Sequence, residues 1–386
     1  MASQTREGKV EKALFAILFV LTCFLPLALW CIGASAFQVS DQEMRNVEVY
    51  PGLSKLKFKE GRSQLQQYLI DRFPGRDKAL LAMNYLRHHW LDISSSKIVV
   101  GKDDWLFYAG DETFEDFLGL RNFSETELER WTEKRISRST ALRMNGVEYL
   151  FLVAPNKSTV YPEMLPKSIQ LLKGPSRLEQ IDSVLQNHPN IDYENLVNRL
   201  LVKKKEGEQV YWKRDSHFSA SGYEVMSDAI YRFADSKLDS FSVENSVPWI
   251  RREQRNRKSD GIKLLGLSNL MQEPPVELIE VEFPPNYREV SAVWFDRWTK
   301  FSTDHYAHPL VTERKSGKGT VIIMGDSFLR SSGINDRILP VSLPFKRCIC
   351  FWGSLPLREL LEYVEIEKPD LVIEQCVERS LIRLPD

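Results

Sequence analysis

The sequence has almost no net charge: 52 Lys and Arg stand against 53 Asp and Glu, a formal charge of -1 at pH 7. Without a basic excess there is no electrostatic footprint for bulk nucleic-acid binding. Cysteine is scarce, five in 386 residues, and no cysteine or histidine spacing matches a metal-binding set. Cys23 and Cys31 lie in an apolar N-terminal run. Cys348 and Cys350 are two apart on one expected strand and badly placed to bridge each other. A pair with Cys376 is open in an oxidising compartment; buried free thiols are the simpler reading. There is no low-complexity tract, and Gly and Pro are ordinary at 19 each, so most of the chain should fold. Its length allows one large domain or two.

Residues 13–37 contain no charged side chain. The run is long enough to cross a bilayer as a helix, for which about 20 apolar residues suffice. Arg6, Lys9 and Lys12 precede it, which keeps the N-terminus cytoplasmic and puts everything after Gln38 outside the inner membrane. Ala34-Ser35-Ala36 resembles a signal-peptidase site, so cleavage to a soluble periplasmic protein is the competing reading. The run exceeds a signal peptide's usual apolar stretch of about 7–15 residues, which favours an uncleaved anchor.

Residues 38–95 read as a polar stalk followed by helices over 60–90, split at Pro74-Gly75. His88 and His89 are adjacent, so on a helix they point apart and make a poor metal pair. The stretch from Lys97 to Tyr108 reads as a β-hairpin turning at Gly101 to Asp104. Ser124-Glu125-Thr126-Glu127 is a capping box that opens a helix running to about Met144, closed by Asn145-Gly146. Residues 147–153 follow as a buried strand, then a polar loop from Ala154 to Pro162. Helix, glycine stop, buried strand and loop are the repeating unit of a parallel sheet covered by helices on both faces. Further helices are expected over 176–186, 196–205 and 223–233. Residues 240–306 break this rhythm, and expected strands at 276–283 and 290–295 make them an insertion or lid. The arginines Arg251, Arg252, Arg255 and Arg257 are a charge run of the kind that usually covers a solvated face. His305 and His308 fall near the insertion's end.

The most informative stretch is Thr320-Val321-Ile322-Ile323-Met324-Gly325-Asp326-Ser327-Phe328. A buried strand ends in a glycine turn that delivers a serine, the arrangement by which α/β hydrolases present a nucleophile. A serine hydroxyl needs a base, and the base needs an orienting acid. Asp215-Ser216-His217-Phe218-Ser219 supplies both. In an extended or turning segment Asp215 and His217 project to one side, and Ser219 is a suitable N-cap for the helix that follows. By the rule that sites form beyond the carboxyl ends of the strands in open α/β sheets, Asn156, Lys157, Ser327, Trp352, Gly353 and residues 374–379 should share one rim.

Gly325-Asp326-Ser327-Phe328 resembles the nucleophile block of the SGNH (GDSL-like) hydrolase superfamily, and Asp215-x-His217-Phe218-Ser219-x-x-Gly222 its Asp/His block. The order Asp-His-Ser, and an Asp two rather than three residues before the His, depart from ordinary members. Both departures are similar to the periplasmic alginate O-acetyltransferases of AlgX/AlgJ type. Val100-Gly101-x-x-x-Trp105-Leu106-Phe107-Tyr108, the Pro155 to Pro166 loop and Glu374-x-x-x-Glu378-Arg379 resemble that branch too.

The resemblance implies a circularly permuted SGNH hydrolase-like domain: a flavodoxin-like, three-layer α/β fold with a parallel sheet, over 96–386, with the insertion at about 240–306. It makes Ser327 the nucleophile, His217 the base and Asp215 its orienter. Asn156, Lys157, Tyr161, Trp352, Gly353, Glu374, Glu378 and Arg379 become substrate or oxyanion candidates. The implied activity is acetyl transfer to polysaccharide hydroxyls through an acetyl-serine, with no cofactor and no metal. The acetyl donor would be a membrane-bound O-acyltransferase, beside which the chain is anchored in the inner membrane. An SGNH-type carbohydrate acetylesterase and a non-catalytic polysaccharide-binding scaffold of an export complex are the alternatives.

Overall fold

The computed structural model describes residues 97–238, 249–254, 259–281, 287–290, 309–315, 317–329 and 343–384, with 49–53, 58–71 and a few positions between 15 and 24 and between 82 and 85. Of the run 13–37, residues 15–17, 19, 20 and 24 are described, all helical. No helix among the described residues is long and apolar enough to cross a membrane. The readings of Cys23, Cys31, Pro74, Gly75, His88, His89, Arg255, Arg257, His305 and His308 fall outside the described residues. The chain divides into two compact units, residues 1–94 with 262–271 and residues 95–261 with 272–386. The first contains the helix Lys59–Asp71.

The second unit is built on a seven-stranded sheet. In chain order its elements begin with a hairpin of β1 (Ile98–Val100) and β2 (Leu106–Tyr108), joined by a turn at Lys102–Asp104. There follow α1 (Glu125–Met144), β3 (Glu148–Ala154), α2 (Arg177–Leu185), β4 (Asp192–Asn195), α3 (Val197–Lys205) and α4 (Ala220–Lys237). Next come β5 (Trp249–Gln254), β6 (Val276–Val281), β7 (Tyr287–Glu289), β8 (Leu310–Arg314), β9 (Thr320–Gly325), β10 (Arg347–Trp352), α5 (Leu357–Glu367) and β11 (Leu371–Val377). The sheet order is β4-β3-β11-β9-β10-β8-β7, and β5 pairs with β6 alone.

The helices start where local chemistry satisfies their free N–H groups. Ser124 and Glu127 form the expected capping box on α1, and Ser176 with Glu179 forms another on α2. Ser219 caps α4 through the Gly222 N–H.

Strands β4, β3, β11, β9 and β10 are parallel, but β8 runs antiparallel to β10 and β7 antiparallel to β8. The sheet is therefore mixed, not parallel as the sequence pattern predicted. The cause is chain length: only residues 315–319 separate β8 from β9, whereas a parallel crossover needs a dozen or more residues. Within the expected insertion, Tyr287–Glu289 pairs with β8 at the edge of the main sheet.

Each buried strand alternates its side chains between two cores. Leu150, Leu152, Ile323, Ile373 and Cys348 pack with α3 and α4 residues such as Leu200, Tyr223 and Ile230. Tyr149, Phe151, Val153, Ile322 and Ile349 pack with Trp131, Leu142, Ile181 and Leu360 of α1, α2 and α5. Burying each such aliphatic side chain contributes about 1.5–3 kcal/mol, so register is strongly fixed. Cys348, Cys350 and Cys376 are free and buried. Cys376 belongs to the second core and the other two to the first, which puts the sheet between them.

Candidate active site

The parallel strands β3, β9, β10 and β11 all end on one edge, at Ala154, Gly325, Trp352 and Val377. The turn after β9 is held tightly. A Cβ on Gly325 would lie 2.3 Å from Leu329 Cδ1 and 2.6 Å from Gln375 Oε1, so a larger residue would have to displace both side chains. Asp326 pins the turn on three sides. Its N–H donates to Gln375 Oε1 at 3.1 Å, its Oδ1 accepts from the Phe328 N–H at 3.0 Å, and its Oδ2 accepts from the Val377 N–H at 2.6 Å. Ser327 opens the short 3-10 helix Ser327–Leu329, half-buried, with Phe328 and Leu329 anchored in the core.

The segment carrying Asp215 and His217 is a closed loop. A β-bridge joins Tyr211 to Phe218, and the Ser219 N–H donates to the Val210 carbonyl at 3.1 Å. The loop is filled from beneath by Lys157, whose Nζ donates to the carbonyls of Trp212, Lys213 and Asp215 at 3.0, 3.0 and 2.9 Å. Trp105 and Phe107 of the hairpin lie under the same ammonium, each ring 5.2 Å away. The Leu106 N–H donates to the Lys213 carbonyl at 3.0 Å. Thus the hairpin and the β3 loop together hold the shape of the Asp-His loop.

These two supports bring three side chains into a row. His217 Nε2 lies 2.8 Å from Ser327 Oγ. His217 Nδ1 lies 2.7 Å from Asp215 Oδ1, which also accepts the His217 backbone N–H at 3.0 Å. The imidazole packs against the Phe328 ring at 5.2 Å. Burial pushes its pKa down, but the charge and hydrogen bond of Asp215, with Asp260 adding, outweigh burial and leave it above the ordinary histidine value.

A fourth group was invisible in the sequence. Asp260 opens a short helical turn, Asp260–Leu264, and its Oδ2 lies 3.6 Å from His217 Nδ1. Burial, then the neighbouring Asp215 carboxylate, raises its pKa. Asp215, His217 and Asp260 place one ligand-type atom each within 4.8 Å of one another. A metal ion there would have to displace the Asp215–His217 hydrogen bond and those Ser216 gives to Asp260.

The remaining candidates sort by what they touch. Arg379 is half-buried, 4.9 Å over the Tyr108 ring and 5.7 Å over the Phe328 ring, and its Nη1 donates to Asn156 Oδ1 at 3.4 Å. Asn156 therefore sits near the nucleophile turn. Glu378 lies beneath it, accepting the Asn156 N–H and the Thr159 hydroxyl at 2.7 Å each; burial raises its carboxyl to about 7. Trp352 is 37% exposed at the end of β10.

Four candidates serve the scaffold. Lys157 is buried beneath the loop, and desolvation lowers its pKa to about 8. Tyr161 is a core residue, 4.5 Å from the Trp105 ring, with its hydroxyl accepting the Val210 N–H. The Gly353 N–H is already given to the Gly325 carbonyl at 2.7 Å, so it is not a spare oxyanion donor. Glu374 points into the other core. It meets Arg135 at 3.0 Å, Arg138 at 2.7 Å and the Tyr149 hydroxyl at 2.6 Å, and Ser354 also donates to it. The rim rule placed Glu374 with the site, but strand alternation turns it to the opposite face.

Comparison with known proteins agrees with this architecture. Residues 98–286 match the family model of the SGNH hydrolase-like domain of acetyltransferase AlgX. Bacillus cereus PatB1 with a sulfonyl adduct is similar at 13% identity and TM-score 0.51, over 75% of this chain and 98% of that chain. The O-acetyltransferase domain of Pseudomonas putida AlgJ aligns at 19% identity and TM-score 0.46, over 75% of this chain and 94% of that one. Pseudomonas aeruginosa AlgX aligns at 14% identity and TM-score 0.47, over 74% and 67%. No curated protein matches the sequence.

Proposed function

Because residues 98–286 match the model of the SGNH hydrolase-like domain of acetyltransferase AlgX, we propose that this chain belongs to that family and is a polysaccharide O-acetyltransferase working through an acetyl-serine. The observation that carries the reading is the unbroken contact from Asp215 through His217 to Ser327. Ser327 Oγ attacks the acetyl carbonyl while His217 Nε2 accepts its proton. The Ser327 backbone N–H has no partner among the described residues and is the first oxyanion donor; Asn156, at the head of the β3 loop, is the candidate second. Each such donor is worth roughly 2.7–4 kcal/mol in the transition state. The leaving group takes the proton from His217. A sugar hydroxyl then attacks the acetyl-serine and gives its proton to His217 Nε2, which passes it to Ser327 Oγ as the Oγ–acyl bond breaks, so both Ser327 and neutral His217 are restored.

The raised pKa of His217 suits this cycle, because the imidazole must both accept and return a proton near neutral pH. Arg379 and the partly exposed Trp352 offer a charged and an aromatic contact for sugar at the same edge. The charge-free run 13–37 and the cations before it support a periplasmic site tethered to the inner membrane. Acetyl groups would then come through a membrane-bound O-acyltransferase.

The test supplies a soluble acetyl ester and an oligosaccharide to the purified protein, wild type and Ser327→Ala. Ester gained on sugar by wild type alone supports transfer. Free acetate only, from wild type alone, makes the chain an esterase. Sugar acetylation by both removes the acyl-enzyme reading.

A further inference from the structure

We propose that Asp260 is a positioning residue for the catalytic base: it fixes the loop that carries His217 and adds a second carboxylate behind the imidazole. The inference rests on the acyl-enzyme reading of the site only for its consequence, not for its geometry.

Asp260 grips the loop at three points. Its Oδ1 accepts the Ser216 N–H at 2.8 Å and its Oδ2 accepts the Ser216 hydroxyl. Its own N–H donates to Asp215 Oδ2 at 3.1 Å, the oxygen that His217 does not use. Both oxygens of Asp215 are thereby engaged, so the carboxylate cannot rotate away from the imidazole. The seat is built closely: a Cβ on the following Gly261 would stand 2.3 Å from the Arg214 carbonyl. Only glycine lets the backbone after Asp260 approach the loop this nearly.

The charge acts on the same ring. Asp260 Oδ2 stands 3.6 Å from His217 Nδ1, and the Asp260 side chain is only 19% exposed. Solvent screens such a pair weakly. The groups facing His217 are Asp215, Asp260 and the more distant Arg379, and Lys157 and Glu273 lie within electrostatic reach of the two carboxylates. When His217 takes the serine proton, Asp215 and Asp260 share the imidazolium between them. Removing one negative charge makes the protonated ring less stable, so its pKa falls.

Asp260→Asn keeps a carbonyl for the Ser216 N–H and removes the charge. The measurement is the histidine titration of the full-length protein carrying isotope-labelled histidine, with the His217 signal assigned by its loss in His217→Gln. The expected result is a His217 midpoint lower by about one pH unit in Asp260→Asn, and near the wild-type value in Asp260→Glu, which keeps the charge. An unchanged midpoint in Asp260→Asn overturns the proposal. Ser216→Ala supplies an independent reading, because it releases Asp260 Oδ2 without removing any charge. Its readout is the rate at which a sulfonyl fluoride modifies Ser327, where the Oγ–S bond forms, fluoride leaves and His217 takes the proton. A clear slowing supports the positioning role; Asp260→Ala, which loses grip and charge together, should slow it on the order of a hundredfold. A wild-type rate in both variants overturns it. Neither readout uses an acetyl donor or a sugar, so a failure of acetyl transfer and a failure of this inference are seen separately.

Discussion

His217 Nε2 reaches Ser327 Oγ at 2.8 Å across 110 positions of sequence. Neither residue is held by its own segment alone. The serine turn is fastened by Asp326 to β11, and the histidine loop by Lys157 to the end of β3. The base and the nucleophile are thus positioned by the neighbours of their strands as much as by the strands that precede them.

Substitution along the row should fall unequally. Ser327→Ala and His217→Ala should abolish acyl-enzyme formation. Asp215→Asn should lower turnover on the order of 10³–10⁴-fold, because the amide favours the wrong imidazole tautomer. Steady-state rates with a soluble acetyl ester, on variants with wild-type melting temperature, check the ranking.

The rate should also report the histidine. As a general base His217 acts only when neutral, so kcat/KM rises with pH through its pKa. Asp215 and Asp260 hold that pKa above the ordinary value of 6.5, against the opposing effect of burial. The rising limb should therefore be centred above 6.5; a limb centred below it would mean that the carboxylates do not govern the ring.

Much of this site was legible in the sequence. Gly325-Asp326-Ser327 and Asp215-x-His217 are local patterns, and strand, turn and cap chemistry placed each on the correct kind of element. What escaped depends on pairing across the fold. Asp260 lies 45 positions from Asp215 and beyond an interruption in the helical rhythm, so no spacing linked them. Glu374 was assigned to the rim because strand ends were legible, but its facing depends on which side of β11 meets α1, a fact of register. The antiparallel β8 could have been read from the five-residue connection to β9, had the strand at 310–314 been expected.

Lys157→Met tests the support under the loop. Three carbonyls lose their donor, at roughly 1–3 kcal/mol for each buried acceptor left unpaired. Both the melting temperature and the rate of serine modification should fall. A protein with a lower melting temperature and an unchanged rate would show that the loop keeps its shape without the ammonium.

Glu374→Ala removes the carboxylate that pairs with the buried Arg135 and Arg138 and should destabilise the fold by roughly 3–5 kcal/mol. Chemical denaturation measures this directly. A loss below about 1 kcal/mol would mean that Glu374 is not the anchor of α1.

Glu378 predicts a pH dependence of stability. Its carboxyl is raised from 4.5 to about 7 in the fold, so the folded state holds a proton that the unfolded chain has released. The stability it contributes is complete below 4.5 and is lost as pH rises through about 7, an effect of roughly 3 kcal/mol. Glu378→Gln should remove this slope from the melting curve while keeping an acceptor for Asn156 and Thr159. An unaltered slope would show that another group is responsible.

The most direct test is to quench the protein during turnover with a soluble acetyl ester and locate the acetyl group by peptide mass spectrometry. The account predicts one acetyl group on the peptide containing Ser327, lost when oligosaccharide is added and recovered as ester on the sugar. Acetylated sugar formed while Ser327 is never modified, or formed equally by Ser327→Ala, would contradict it.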